Sequence, residues 1–581
     1  MSDSHDHSHG FTGPKCWILT LIAGLIIGAL VSFVLPASWN HGAHSDAASH
    51  GTIVADGDGE SVHLPPTPQQ EHADPSQNNQ TNDHASGTEP EHSEDTHPAG
   101  SETATDHDPT EHAAHAHGPA PAIPIWLVLP FALLLGSIAL MPFINGKFWH
   151  SHFPDFAFFL GGVVAAYYFF AFKGDEPYSH GMSYGLYQLK HAALEYYQFI
   201  ALVGGLFVVS GGVLVDLKGK GGPKLNVALL GFGAVIANIV GTTGASMLLI
   251  RPFMRVNAGR LKPIHVVFFI FIVSNCGGAL TPIGDPPLYL GFLKGVPFFW
   301  TAEHMLAEWA FVITLLLSVF AVIDWKIGPA NPTNDDNEVV VEPAKFGLRL
   351  KGAVGIICLG LMILGVFIDP ILKAMGMTQF EGLPVGATFQ ILVAIMSYKL
   401  APREILHANE FDFFPVKEVG LLFLGIFTTM MPALGYLSTH GQQLGIDSVH
   451  AFYYLTGALS GVLDNAPTYL NFLQIAFGNE HFNMLAPENT NIDPASVHAF
   501  LFNEDGTTRH TGAMILSAIS TGAVFFGAMT YIGNGPNFMV RAIAESSGLR
   551  MPSFFGYMAR AIILLLPVLV LHHLVFFLLI G

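Results

Sequence analysis

Asp285 is the residue with the clearest chemistry. It lies in Ser274–Leu290, Ser-Asn-Cys-Gly-Gly-Ala-Leu-Thr-Pro-Ile-Gly-Asp-Pro-Pro-Leu-Tyr-Leu, inside an apolar run that begins near residue 264. A carboxylate at bilayer depth costs about 2.5–3.5 kcal/mol and is retained where it faces an ion or substrate path. Pro282, Pro286 and Pro287 remove backbone donors, while Gly277, Gly278 and Gly284 loosen the chain, so a helix crossing here must break near mid-membrane. The stretch recurs: 278–287 reads Gly-Ala-Leu-Thr-Pro-Ile-Gly-Asp-Pro-Pro and 527–536 reads Gly-Ala-Met-Thr-Tyr-Ile-Gly-Asn-Gly-Pro, identical at six of ten positions.

Two further stretches join polar residues to helix breakers. One reads Asn238-Ile-Val-Gly-Thr-Thr-Gly-Ala-Ser246 and the other Asp464-Asn-Ala-Pro-Thr468. The candidate ligands are therefore Asn238, Thr242, Thr243, Asn275, Thr281, Asp285, Asp464, Asn465, Thr468, Thr530 and Asn534. Carboxylate, amide and hydroxyl oxygens with freed carbonyls suit a small hard cation, whereas half-helix N-termini suit an anionic carboxylate. Plainer roles exist: Asp285 could cap a half-helix starting at Pro286, Asp464 could cap the second arm of its own hairpin, and the asparagines could satisfy broken backbone. Tyr289, Tyr469 and Tyr531 read as packing residues, and His572 and His573 as polar groups satisfied between helices, with a proton path as the lesser alternative for the paired histidines.

The elements that must position these residues are membrane spans. The 581 residues are 51% hydrophobic and 12% charged, with many apolar runs of about 20 residues. Spans are expected at 125–144, 156–172 and 197–215. A hairpin at 225–250, a broken helix at 264–293 and a span at 307–323 complete the first half. A polar loop, 324–347, precedes a second half with the same order: 353–368, 385–398, 419–437, a broken stretch 451–477, a broken helix 511–540 and 557–580. The domains follow as 1–36 (tail and an anchor or signal helix, apolar over 17–36), 37–122 (acidic, His-rich linker), 123–324 (first repeat), 325–350 (connecting loop) and 351–581 (second repeat). Two broken segments at corresponding places in two halves point to a secondary transporter with internal repeats.

Almost all basic residues in the short loops fall on one side if the N-terminus is inside and 225–250 re-enters. The linker, 173–190 and 478–510 then lie outside, and the second hairpin enters from the side opposite to the first. This is an all-α polytopic membrane protein with inverted repeats.

Other classes fit less well. The net charge of −20 is concentrated in the linker, and nothing basic suggests a nucleic-acid surface. Cys16, Cys276 and Cys358 are too few and too scattered for a disulfide framework or a zinc site. The linker is too polar to fold, and its histidines suit weak Zn²⁺, Ni²⁺ or Cu²⁺ collection or a solvated spacer; a metal-sensing role is the third class considered. An intramembrane aspartyl protease would use Asp285, Asp464 and Pro432-Ala433-Leu434, but Pro282-Ile283-Gly284 stands where Gly-x-Gly is needed. No phosphate-binding Gly-x-x-x-x-Gly-Lys-Ser/Thr occurs, and no organic cofactor is implied.

Together, Ser-Asn-Cys-Gly-Gly-Ala-Leu-Thr-Pro-Ile-Gly-Asp-Pro-Pro and the later Leu-Asp-Asn-Ala-Pro-Thr resemble the ion transporter superfamily of NhaD-type sodium/proton antiporters, arsenite permeases and citrate or dicarboxylate carriers, over 125–580. The resemblance implies a dimer, Asp285 and Asp464 as Na⁺ ligands, and His191 and Glu195, four apart on one helical face, as proton-relay residues. The tips lack the Ser-Asn-Thr of dicarboxylate carriers, and no Lys or Arg lies within the four site segments. Sodium/proton antiport in a cell inner membrane is the leading expectation, with cation-coupled citrate or other carboxylate transport as its alternative. In the antiport reading, Asp285 and Asp464 exchange Na⁺ for protons.

Overall fold

The computed structural model describes residues 14–34, 121–173, 178, 181–219, 221–328, 347–380, 382–479, 492–503 and 505–580. The linker expected at 37–122 lies outside them except for its last two residues. Eight helices among the described residues are long and apolar enough to cross a membrane. The chain is an all-α polytopic membrane protein.

Helix α1 (Pro14–Val34) spans most of the apolar segment expected at 17–36. It packs on α2 (Leu129–Ala171) through small residues four apart, the close-approach pattern of helices in lipid. A Cβ on Gly24 would lie 2.3 Å from the Phe159 carbonyl oxygen, and one on Gly28 2.1 Å from that of Val163. Helix α2 reverses at Asn145 (φ −152°, ψ 79°), whose Oδ1 accepts from the Phe148 N–H. The Trp126 ring consequently stands edge-on to Tyr167 at 5.1 Å, so the two passes expected at 125–144 and 156–172 are the arms of one helical hairpin.

Helix α3 (Tyr184–Gly211) starts earlier than residue 197, on the Ser183 side chain, and stops before 215. The last residues of that expected span form β1 (Leu214–Lys218), which pairs antiparallel with β2 (Gly347–Lys351), Val215 opposite Leu350. Helix α4 (Pro223–Val256) is the first hairpin, turned at Gly241, whose φ of +78° glycine adopts without a Cβ penalty. Its ends meet: Gly221 N–H donates to Val256 O at 2.5 Å, and the Asn226 and Asn257 amides bond each other at 2.9 and 2.8 Å.

The first broken helix is α5 (Pro263–Ile272), a tight turn at Cys276–Gly278 and α6 (Pro286–Leu293). Helix α7 (Trp300–Ile327) then returns. It extends past the expected 307–323, so Asp324 is not a loop residue. Asp324 is fully buried, accepting from Arg260 Nη2 (2.6 Å) and Asn226 Nδ2 (2.8 Å) and bonded to His265 Nε2 (2.8 Å), which fastens α4, α5 and α7 at one end of the bundle.

Helices α8 (Ala353–Ala374), α9 (Val385–Leu400), the short α10 (Arg403–Ala408) and α11 (Phe414–His440) precede the second hairpin, α12 (Val449–Ser460) and α13 (Asn465–Phe477). Its ends also meet, through Asn479 Nδ2 and Ile446 O at 3.3 Å. After α14 (Pro494–Leu501), the second broken helix is α15 (His510–Phe526), a turn at Gly527–Met529 and α16 (Gly535–Ser546). Helices α17 (Phe554–Leu564) and α18 (Leu566–His573) close the fold.

The base of α4 lies at the C-terminal end of α7, beside Asp324. The start of α7 instead faces the chain that follows the second hairpin, with His304 Nε2 3.4 Å from Thr508 Oγ1. The two hairpins thus enter from opposite ends, and both broken helices turn in the middle.

Candidate functional site

The four interrupted elements converge on one carboxylate. Asp285 is 1% exposed and accepts three hydrogen bonds, one from each of the other three elements. Thr242 Oγ1, at the tip of α4, donates to Oδ1 at 2.8 Å; Asn534 Nδ2, at the second break, donates to Oδ1 at 2.9 Å; Asn465 Nδ2, at the start of α13, donates to Oδ2 at 2.6 Å. Bonds to a charged group contribute about 1.5–3 kcal/mol each. Together they offset the insertion cost of the carboxylate. Asp285 occupies the capping position of α6, but its side chain makes no capping bond.

The breaks are built as a matched pair. A Cβ on Gly284 would lie 2.1 Å from Gly278 O, and one on Gly533 2.6 Å from Gly527 O. Backbone crosses backbone at both places, which accounts for the glycines the repeats share. Thr281 Oγ1 donates to Asn238 O at 2.6 Å and accepts from Gly284 N–H, while Thr530 Oγ1 accepts from the Ile532 and Gly533 N–H groups. These two threonines fix the turns. Asn238 donates to Ala234 O and Gly277 O and accepts from Leu280 N–H, so it too ties hairpin to break.

Asn275 and Asn465 are different. Asn275 Nδ2 donates to Ile270 O and to Asn537 Oδ1 (2.6 Å), yet its own Oδ1 and that of Asn465 are buried with no hydrogen-bond partner among the described residues. A Cβ on Gly527 would lie 3.1 Å from Asn275 Oδ1 and 3.5 Å from Asn465 Nδ2, so both amides line the same space. An ionised carboxyl offers about four acceptor directions and three are used, leaving one on Oδ2. The carboxylate and amide oxygens of Asp285, Asn275 and Asn465 are of the chemical type that holds a small cation, and in this conformation the Asn465 amide turns its nitrogen to Asp285 Oδ2.

A cavity of about 20 Å³ beside Asp285 is lined by Thr242, Thr243, Gly284 and Tyr289 among others. That is room for one water-sized particle. Tyr289 also lines a cavity of about 160 Å³ with Gln198, Asp369 and Gln390.

Several expected ligands stand apart. Asp464 caps α13, its Oδ1 accepting from Ala466 N–H at 3.0 Å, and it makes no bond to Asp285; the neighbouring Asn465 takes that place because it opens the helix facing the carboxylate. Thr468 Oγ1 donates back to Asp464 O. Glu195 pairs with Lys294 Nζ at 2.5 Å, and the exposed His191 ring lies 4.2 Å from that of Tyr187. Lys294, just past the first broken helix, was missed because it follows the last apolar residue. Asn537 was missed because the matching position of the first repeat is Leu288. The starts of α6, α13 and α16 hold few free amides: Pro286, Pro287, Pro467 and Pro536 have none, and Asp464 occupies that of Ala466. In this conformation the tips are better suited to a cation than to an anion.

Residues 120–577 match the family described as "Putative citrate transport". The chain belongs to that family. No curated protein matches the chain. With its membrane-helical fold, the family places the chain among membrane transporters, consistent with the citrate-carrier side of the superfamily resemblance.

Proposed function

We propose that the chain is a secondary active transporter that carries citrate or a related carboxylate, coupled to a monovalent cation held at Asp285. The observation that supports this reading is the convergence of all four interrupted elements on that carboxylate, with two partnerless amide oxygens beside it. A bound cation neutralises Asp285, gives the Asn275 and Asn465 oxygens a partner and so favours the closed seam between repeats. Differential stabilisation of this kind lets a coupling ion bias alternating access. The family match supports the carboxylate, and the basic residues at the α4 base and on β2 support an orientation with that end inside.

The test is labelled-citrate uptake into proteoliposomes under Na⁺, Li⁺, K⁺ or proton gradients, with Asp285→Asn as the variant. Uptake that requires one cation gradient and is lost in the variant is the expected result. Proton movement on adding Na⁺ or Li⁺, without citrate uptake, would instead make the protein a cation/proton antiporter. That second reading draws on the same carboxylate and on the lack of any Lys or Arg bonded to it among the described residues.

A further inference from the structure

A second buried carboxylate lies away from Asp285. Glu308, in α7, is 6% exposed and its Oε1 accepts from Ser517 Oγ of α15 at 2.6 Å. Its Oε2 is 2.9 Å from His572 Nε2 of α18, and His572 is fully buried. The other ring nitrogen, Nδ1, is 3.1 Å from the Tyr453 hydroxyl of α12, which is 3.0 Å from Leu569 O.

Counting hydrogens along this chain shows that it can exist with two proton contents. If the Tyr453 hydroxyl donates to Leu569 O, it must accept from His572 Nδ1–H, and a proton must then sit between Nε2 and Oε2 to avoid lone pair facing lone pair. If that proton leaves, the hydrogen on Nδ1 can be replaced by one on Nε2 that donates to Glu308, and the Tyr453 hydroxyl turns from Leu569 O to Nδ1. Every side-chain contact survives the loss of one proton.

We propose that Glu308 and His572, with Tyr453 as the turning donor, form a proton-binding site that couples proton movement to transport. The proposal rests on the transport reading. Both repeats supply the parts: Glu308 comes from the first, Tyr453, Ser517 and His572 from the second. Trp309 Nε1 donates to Gly277 O at 2.9 Å, linking the site to the first break. The titratable groups facing it are Tyr454 and Cys276 beside Tyr453, and His573, which bonds His450 at 2.9 Å. No Lys or Arg forms an ion pair with Glu308 among the described residues.

The test uses the full chain in proteoliposomes with Glu308→Gln and His572→Gln. Glu308→Gln keeps donors and acceptors for Ser517 and His572 but cannot bind the shared proton as an acid. Labelled-citrate exchange at equal pH and citrate-linked proton flux are measured together, with thermal stability in detergent as the folding control. Retained exchange with loss of proton flux in a stable Glu308→Gln protein is the expected result. Unchanged proton flux, or equal loss of exchange and flux, would overturn the proposal and leave the pair a helix fastener. Infrared difference spectra of the purified protein between acid and alkaline buffers give a readout that needs no substrate: a carboxyl band absent from Glu308→Gln supports the site, and identical spectra refute it. If the wild type exchanges no citrate, the transport reading fails while the infrared result still judges the proton site.

Discussion

At Asp464 and Asn465 the sequence offers two neighbours for one job. Asp464 is the more obvious cation ligand by charge, yet a residue immediately before a helix start is directed to its own backbone, while the first helical residue faces the opposing break. Asp464→Ala should lower stability by about 1 kcal/mol, the usual cost of a lost cap, and leave the cation requirement intact. Asn465→Ala removes the amide oxygen proposed to meet the cation and should raise the cation concentration for half-maximal transport about tenfold or more. Thermal unfolding and cation titration of the same preparations check both. Equal loss of the cation response would return Asp464 to the ligand set.

The interrupted elements were legible because proline, glycine and the ten-residue repeat stand out against apolar helix. Gly284 and Gly533 show what that pattern enforces. Gly284→Ala and Gly533→Ala place a methyl group against a carbonyl and should cost about 3 kcal/mol or more, whereas Gly535→Ala, with nothing within 4 Å of the added carbon, should be tolerated. Size-exclusion profiles in detergent separate the outcomes. What the sequence hid were contacts between distant segments. The β1–β2 pair joins two five-residue pieces, one inside the first repeat and one at the junction with the second, and neither is long enough to show alternation. Asp324 reads as the first residue of an acidic loop, and only the packing of α4, α5 and α7 brings Arg260 and His265 to it. Glu308 stands between Glu303 and Asp324 in a long, otherwise apolar part of α7, with partners that begin more than 200 residues later.

Across the whole molecule, the buried Arg260–Asp324–His265 cluster fastens one end of the bundle and the crossing at Asp285 fastens its middle. Asp324→Asn leaves Arg260 without its counter-charge and should destabilise the protein by about 3–5 kcal/mol. The check is a lower unfolding temperature, with an unchanged citrate KM in the surviving folded fraction. Removing residues 41–116 should leave transport intact, because the transport elements bond one another without them; uptake by the shortened chain measures this. The placement of Asp285 also has an electrical consequence. The repeat that supplies Asp285 is answered by Asn534, so the seam carries a charge on one side and an amide on the other. Under the proposed coupling, a bound monovalent cation neutralises that carboxylate, so the carboxylate itself adds no voltage dependence to the loaded step. Empty, it is an anion, and an inside-negative potential draws it toward the outward-facing state by up to about 2.3 kcal/mol per 100 mV if it traverses the full field. Membrane voltage would then act on the return of the empty carrier, making the resting potential a driving force for the cycle in addition to the ion gradient.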